Sequence, residues 1–232
     1  MNLKEIIGTE YSDMTNEKTE SIPILNKEHF LLKCYREYAN QMYDEYQLAL
    51  SILKKVSYTK EDITSFSLLL PIIQDEINLD PAGFFLSALV NKHFKETRDS
   101  QEYQIVTENL KIPLRSLCIE NAGAKVNIVG SAGDGLCRNM NSGEVTLKGN
   151  CRDIAGQNMK GGILILNHAD RYLGCGMLDG KIYAKSAKGG LGINMEGGEI
   201  HISETCQERI GAFAGKVYLR DKLIFPTKKK KK

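Results

Sequence analysis

The sequence predicts an α+β protein: a small helical domain followed by a parallel β-helix of about six coils. Two observations point to the solenoid and one to the helices. Six near-repeats of 17 to 19 residues run towards the carboxyl end, with markers at Asn121, Met140, Met159, Met177, Met195 and Ala212. A fixed period of this kind is the signature of stacked repeats. Five and seven residues after each marker stand apolar residues: Val126 and Ile128, Val145 and Leu147, Leu164 and Leu166, Ile182 and Ala184, Ile200 and Ile202, Val217 and Leu219. That alternation is the period of a strand with one buried face. Ahead of the repeats, apolar residues recur every three or four positions instead, the period of an amphipathic helix.

Residues 1–26 are polar and irregular, the pattern of a mobile lead-in. Residues 27–100 read as the helical domain. Asn26 can cap a helix running to about Val56, on which Phe30, Leu31, Cys34, Tyr38, Met42, Tyr46, Ala49 and Leu53 fall mostly three or four apart. Thr59-Lys60-Glu61-Asp62 resembles a capping box for a second helix, with Asp in place of the usual Glu or Gln. Pro71 is expected to interrupt or kink that helix, because it lacks the amide donor and clashes with the preceding turn. Asp80-Pro81 reads as an N-cap followed by proline at the first helical position, opening a third helix to about Thr97. Residues 101–226 are assigned to the solenoid. Their first part, Glu102–Leu117, either adds a strand or covers the rod's open end, since an uncapped coil exposes an edge. Residues 227–232 are a lysine tail, a solvated charged end.

The repeat itself is turn chemistry around one short strand. Three residues after the markers stand Gly143, Gly162, Gly180, Gly198 and Gly215, with Ala124 in the first copy. One residue before stand Asn139, Asn158, Gly176, Asn194 and Gly211. Glycine and then asparagine best tolerate positive φ, so the second column predicts a left-handed turn position. Eighteen residues are too few for strand, crossover helix and strand, because the crossover alone takes about a dozen. One coil of a β-helix fits. Met140, Met159, Met177 and Met195 then form a core ladder, suited to it by the adaptable thioether. Leu117, Leu136, Ala155, Leu173 and Leu191 form a second ladder. A leucine-rich repeat fits less well, since the repeats lack a helical stretch and are dense in glycine.

Gly174-Cys175-Gly176-Met177-Leu178-Asp179-Gly180 and Ile193-Asn194-Met195-Glu196-Gly197-Gly198 resemble the G-x-G-x-G repeat. That repeat is found in the carboxy-terminal domain of the glutamate synthase large subunit and in the β-helical subunit of formylmethanofuran dehydrogenase. Ser131-Ala132-Gly133-Asp134 is similar to the N-A-G-D stretch between coils of that family. The resemblance spans about residues 115–220. It implies a right-handed β-helix with a structural role, packed beside or between catalytic domains of an oxidoreductase and binding no cofactor itself. It carries over no catalytic residues. The short solenoid and the amino-terminal helices depart from the family's pattern.

A net charge of +2 argues against a dedicated nucleic-acid binder. No apolar run reaches the ~18 residues of a membrane span. The amino terminus has no signal-peptide core, and six cysteines without one point to the reducing cytoplasm.

Cys118 and Cys137 both stand three before their markers, so they should stack on adjacent coils about 5 Å apart, within disulfide range. They form either a redox pair or a short ladder of free, buried thiols. Cys151 and Cys206 share a column three coils apart, and with no C-x-x-C a zinc or iron–sulfur site is not expected. His201, between Ile200 and Ile202, should face outward, and His29, His93 and His168 suggest no nucleophile–His–acid set. Asp134 and Asp153 share a column with Arg171 next. They read either as a carboxylate pair for glycan chemistry or as acceptors for turn N–H groups. The glycines match neither a phosphate loop nor a dinucleotide fingerprint. The expected function is therefore a non-catalytic scaffold or partner-binding subunit of a larger cytoplasmic complex, without metal or cofactor, with homo-oligomerisation open. Its docking face would carry the outward Thr146, Tyr183, His201 and Tyr218. The alternative is a component of a glutamate synthase or formyl-transfer enzyme that contributes directly to activity. Against it, residue 2 is Asn where an amidotransferase needs cysteine, and no flavin or cluster motif appears.

Overall fold

The structure is a computed structural model that describes residues 30–41, 46–207 and 210–225. The lead-in, the Asn26 cap, His29, Met42 and the lysine tail lie outside the described residues. The expected first helix is two helices, α1 (Phe30–Ala39) and α2 (Tyr46–Leu53). α1 closes where the Gln41 N–H donates to Tyr38 O at 3.1 Å, three residues back rather than four. The adjoining Asn40 belongs to a residue type that prefers turns to helix interiors. α3 (Lys60–Ile73) has the expected capping box: the Thr59 side chain accepts from the Asp62 amide, and Asp62 Oδ2 accepts from the Thr59 amide at 2.8 Å. Pro71 stands in the last turn of α3, so it marks the end of that helix and does not divide it.

α4 (Ala82–Thr97) starts one residue later than expected. Pro81 is its N-cap and makes no side-chain cap, and the amides of Phe84 and Phe85 both donate to Pro81 O at 3.1 and 3.2 Å. Every residue from Ala82 to Asn91 is buried, the state of a helix enclosed on all sides. The rings of Tyr35, Phe66 and Phe85 meet at centroid distances of 5.3 to 5.6 Å and bind α1, α3 and α4 together.

Seven strands follow in parallel, stacked in chain order: β1 (Tyr103–Val106), β2 (Ala122–Val129), β3 (Ser142–Cys151), β4 (Lys160–Arg171), β5 (Asp179–Gly189), β6 (Glu199–Cys206) and β7 (Lys216–Leu219). The expected columns are in register. Val126, Val145, Leu164, Ile182, Ile200 and Val217 are successive partners, and all are buried. The segment Glu102–Leu117 does supply a strand, with Tyr103 opposite Val126. The solenoid has about five turns rather than six. The sixth repeat keeps only the four residues of β7. The chain then reverses through Arg220 and Asp221, both at positive φ (50° and 61°), into the antiparallel β8 (Lys222–Phe225). Two consecutive left-handed residues make the tight hairpin turn that ends the winding.

The Asn/Gly column is left-handed at four of its five expected positions, with φ of 56° at Asn139, 51° at Asn158, 64° at Gly176 and 57° at Asn194; Gly211, in the last repeat, is not, while Glu120 opens the column at 53°. Two further left-handed columns stand three and five residues before the markers: Cys118, Cys137, Gly156, Gly174 and Gly192, then Ser116, Gly135, Ile154, Tyr172 and Gly190. Alternating left-handed residues send successive N–H groups in opposite directions along the stack. Gly135 and Asn139 donate to the following coil (Asp153 O at 3.0 Å, Gln157 O at 2.8 Å), while Cys137 donates back to Leu117 O at 2.9 Å. The turn backbone is thus paired coil to coil as the strands are. The glycine and methionine columns share one contact. A Cβ on Gly162 would lie 2.6 Å from the Met140 methyl of the preceding coil, and one on Gly198 would lie 2.6 Å from that of Met177.

One buried cluster runs from Leu31 to Val217, without a break between helices and rod. α4 lies on the first coil, and its polar residues serve that coil's backbone. Ser87 Oγ shares its proton between Gly83 O at 2.7 Å within the helix and Ser116 O at 3.0 Å, Asn91 Nδ2 donates to Ile119 O at 2.9 Å, and Asn91 Oδ1 accepts from the Ala122 amide at 3.3 Å. No helix among the described residues is long and apolar enough to cross a membrane.

Candidate functional site

The second halves of β3, β4 and β5 form the floor of an open groove along the rod. Register shifts before Asn150 on β3 and Ser186 on β5 realign the strands there. Cys151, Ala169 and Ala187 point inward and are buried. The alternate residues therefore face out. Asn150, His168, Ser186 and Thr205 are register partners on successive strands, and Asp170 and Lys188 follow two positions along. A cavity of about 430 Å³ is lined by Asn150, Arg152, His168, Asp170, Ser186 and Lys188. It continues into one of about 780 Å³ bordered by Asp134, Arg152, Asp153, Arg171 and Tyr172.

His168 Nδ1 lies 2.5 Å from Ser186 Oγ. On the next outward positions Lys188 Nζ pairs with Asp170 at 2.6 Å. The aspartate column accepts backbone amides, as expected of turn acceptors: Asp134 Oδ1 takes the Asp153 N–H at 3.1 Å, and Asp153 Oδ1 takes that of Arg171 at 3.0 Å. The Arg171 guanidinium also forks onto Asp153, at 3.2 Å and 2.5 Å, and this contact holds the Asp153 carboxyl below its usual range. Asp153 is thus held as a charged ion-pair partner, which does not suit it to be the proton-donating acid of glycoside hydrolysis. Arg152 is exposed and lines both cavities, and its guanidinium makes no hydrogen bond or ion pair among the described residues.

Cys118 and Cys137 do meet across adjacent coils, both as free thiols and both buried. Burial pushes the Cys137 thiol well up, and its contact with Cys118 adds to the effect. Burial likewise pushes Cys151 up to about 12. Cys151 and Cys206 share a column through Ala169 and Ala187, as expected. Among the described residues no three His, Cys, Asp or Glu side chains converge on a metal position.

The outward column expected for docking, Thr146, Tyr183, His201 and Tyr218, is completed by Asn127 and Ile165. The His201 ring lies between Tyr183 and Tyr218, with centroids 4.9 and 4.4 Å away and planes tilted by 27° and 10°. Beside it Glu199 reaches Lys216 at 3.1 Å, His201 at 3.2 Å and Lys181 at 3.4 Å. The Lys216 hydrogen bond, with His201 and Lys181 after it, lowers the Glu199 pKa to about 2. His93 is bound to the Tyr103 hydroxyl at 2.8 Å under α4. No partner for His168 was expected from the sequence. The signal was the spacing: Ser186 is one 18-residue step away. In comparisons with family models, curated proteins and solved structures, nothing matches this chain.

Proposed function

We propose that this protein is a scaffold or partner-binding β-solenoid that works as one subunit of a larger cytoplasmic complex. The observation that supports the reading is the outer sheet face. One half-buried column runs from Thr146 to Tyr218 over five strands, with the buried Asn127 at its head, and the column beside it, Lys125, Glu144, Ile163, Lys181, Glu199 and Lys216, is laced by ion pairs. Side chains held by register lose little freedom on docking, so a rigid array of this kind can bind a partner at low entropic cost. We also infer that the repeat is a divergent, right-handed form of the G-x-G-x-G β-helix. Its glycine column, at φ between 80° and 98° from Gly143 to Gly215, supports this. The host assembly is then an oxidoreductase complex of the glutamate synthase or formylmethanofuran dehydrogenase kind.

Native co-purification from the source cell, with the mass of the recovered complex, tests the reading. Recovery with flavin, iron–sulfur or amidohydrolase-type subunits supports it and names the pathway. Recovery of a bare monomer overturns it.

A further inference from the structure

We propose that His168 and Ser186 form a base–nucleophile pair that hydrolyses carboxylic esters whose acyl part carries an acidic group, with Arg152 holding that group. The inference does not depend on the scaffold function, which concerns another face of the rod. The first support is geometry. The 2.5 Å separation of His168 Nδ1 and Ser186 Oγ is within the reach a general base needs. The two residues are register partners across β4 and β5, so the ladder fixes their backbones side by side. Asn150, the register partner of His168 on β3, lines the same cavity. The second support is that the pair sits in a cavity. Its volume of about 430 Å³ suits a small ligand, it is itself open to solvent, and it shares Arg152, Asp170 and Lys188 with the larger groove.

The third support is charge. Three carboxylates border the groove, and two of them have cationic partners: Asp153 has Arg171, and Asp170 has Lys188. Asp134 is engaged by the Asp153 amide. Arg152 stands in the same cavity; its charge is felt by Asp153 but its guanidinium makes no direct ion pair among the described residues, so its planar fork is open to a carboxylate. The strand amides around the pair are committed to the parallel ladder, so Lys188, which lines the same cavity and shares its charge with Asp170, is the cation placed to meet the developing charge. A site so equipped suits esters with good leaving groups rather than amides.

With its proton on Nε2, His168 takes the Ser186 Oγ–H proton on Nδ1. Oγ bonds to the ester carbonyl carbon, and the carbonyl π pair moves onto its oxygen. Collapse of this adduct breaks the bond to the alcohol, which leaves with the proton from His168. Water then gives a proton to His168 and its oxygen attacks the acyl-serine. The carboxylic acid departs, and Ser186 recovers its proton. The net reaction is ester plus water to acid plus alcohol.

The test is covalent labelling of the full chain by a fluorophosphonate, read by peptide mass spectrometry, together with turnover of p-nitrophenyl acetate and the mono-p-nitrophenyl ester of succinic acid. The expected result is an adduct on Ser186 that forms about a hundredfold more slowly in His168→Ala, the scale of general-base assistance. Ser186→Ala should lose turnover, and Arg152→Ala should raise KM for the succinyl ester more than for the acetyl ester. His168 is exposed and Ser186 half-buried, so far-UV circular dichroism should show both variants folded. No adduct on Ser186 in the unaltered chain, or labelling at equal rates with and without His168, overturns the proposal. Labelling uses the isolated protein and co-purification the native complex, so failure of one leaves the other standing.

Discussion

Replacing Gly143 by alanine should destabilise the protein several times more than replacing Gly135, although both glycines are left-handed. At Gly135 φ is 73°, and the nearest atom to an added Cβ, Ser116 Oγ, is 3.6 Å away. Only the backbone penalty applies there, about 1–2 kcal/mol for an L-residue in this region. The lower entropy of the unfolded alanine chain offsets part of it, by about 0.4–1 kcal/mol. The net cost is about 1 kcal/mol. At Gly143 φ is 93°, and the Cβ would stand 2.4 Å from Ala124 O, 2.7 Å from Gly123 C and 3.0 Å from Ala124 N. Those are backbone atoms of the coil beneath, fixed by the ladder, and no rotamer change relieves them. Forced overpacking adds about 1–3 kcal/mol, for a total of about 3 kcal/mol. In a chain of this size each kcal/mol moves Tm by about 2–4 °C, so the expected losses are about 2–4 °C for Gly135→Ala and about 6–12 °C for Gly143→Ala. Thermal and urea unfolding followed by circular dichroism read both. Equal losses would show that coil-to-coil contact is not what confines this column to glycine.

Three further outcomes follow from the same structure. Glu199 has its pKa lowered from 4.5 to about 2, so its contribution to stability is complete above pH ~4.5 and is lost as pH falls towards 2. The urea midpoints of the unaltered protein and Glu199→Gln should therefore converge over that interval, and a constant gap would contradict the ion-pair assignment. Tyr218→Leu keeps apolar bulk but loses the stack on His201, an effect of about 0.5–1.5 kcal/mol. The same change made in a His201→Ala background should cost much less, and equal costs in a double-mutant cycle would remove the stack as the cause. Native alkylation with iodoacetamide should reach the half-buried Cys34, Cys175 and Cys206 first and spare Cys137 and Cys151, where burial holds the thiol protonated. Early modification of Cys137 by mass spectrometry would refute that order.

The strand ladder was legible in the sequence because burial on one face restricts residue type directly: the column from Val126 to Val217 is aliphatic throughout. The Asn/Gly column was legible because those types fill it in every copy but the first, where Glu120 is left-handed as well. The other two left-handed columns were masked, since glycine fills only half of their positions and Cys118, Cys137, Ile154 and Tyr172 reveal nothing of the sign of φ. There the coil above and below sets the backbone and overrides local preference. The overcount of coils has a related source. Val217 and Leu219 satisfy the core column, but Arg220 and Asp221 turn the chain back, and Asp221 is a common turn former that composition alone does not distinguish from a coil corner. The His168–Ser186 pair lay within reach of the period, but an exposed serine attracts no notice until a register places it opposite a histidine.

A stack of coils has two ends, and the chain closes them by different means. At the carboxyl end β8 turns back on β7 and pairs antiparallel to it, which occupies the outer hydrogen-bonding edge of the last parallel strand. At the amino end no coil among the described residues lies beneath residues 115–122, where a missing coil would leave backbone groups unpaired. α4 takes its place. Gly83 permits the approach, because a Cβ there would fall 1.8 Å from Arg115 O. Ser87 accepts from the Ile119 amide and donates to Ser116 O, and Asn91 meets Ile119 O and the Ala122 amide. The three positions 83, 87 and 91 are one turn apart on a single face of α4. That face is polar and narrow in a helix otherwise enclosed by apolar residues, and its side chains stand where the amides and carbonyls of another coil would be. The helices are thus part of the rod's hydrogen-bond ladder as well as of its core.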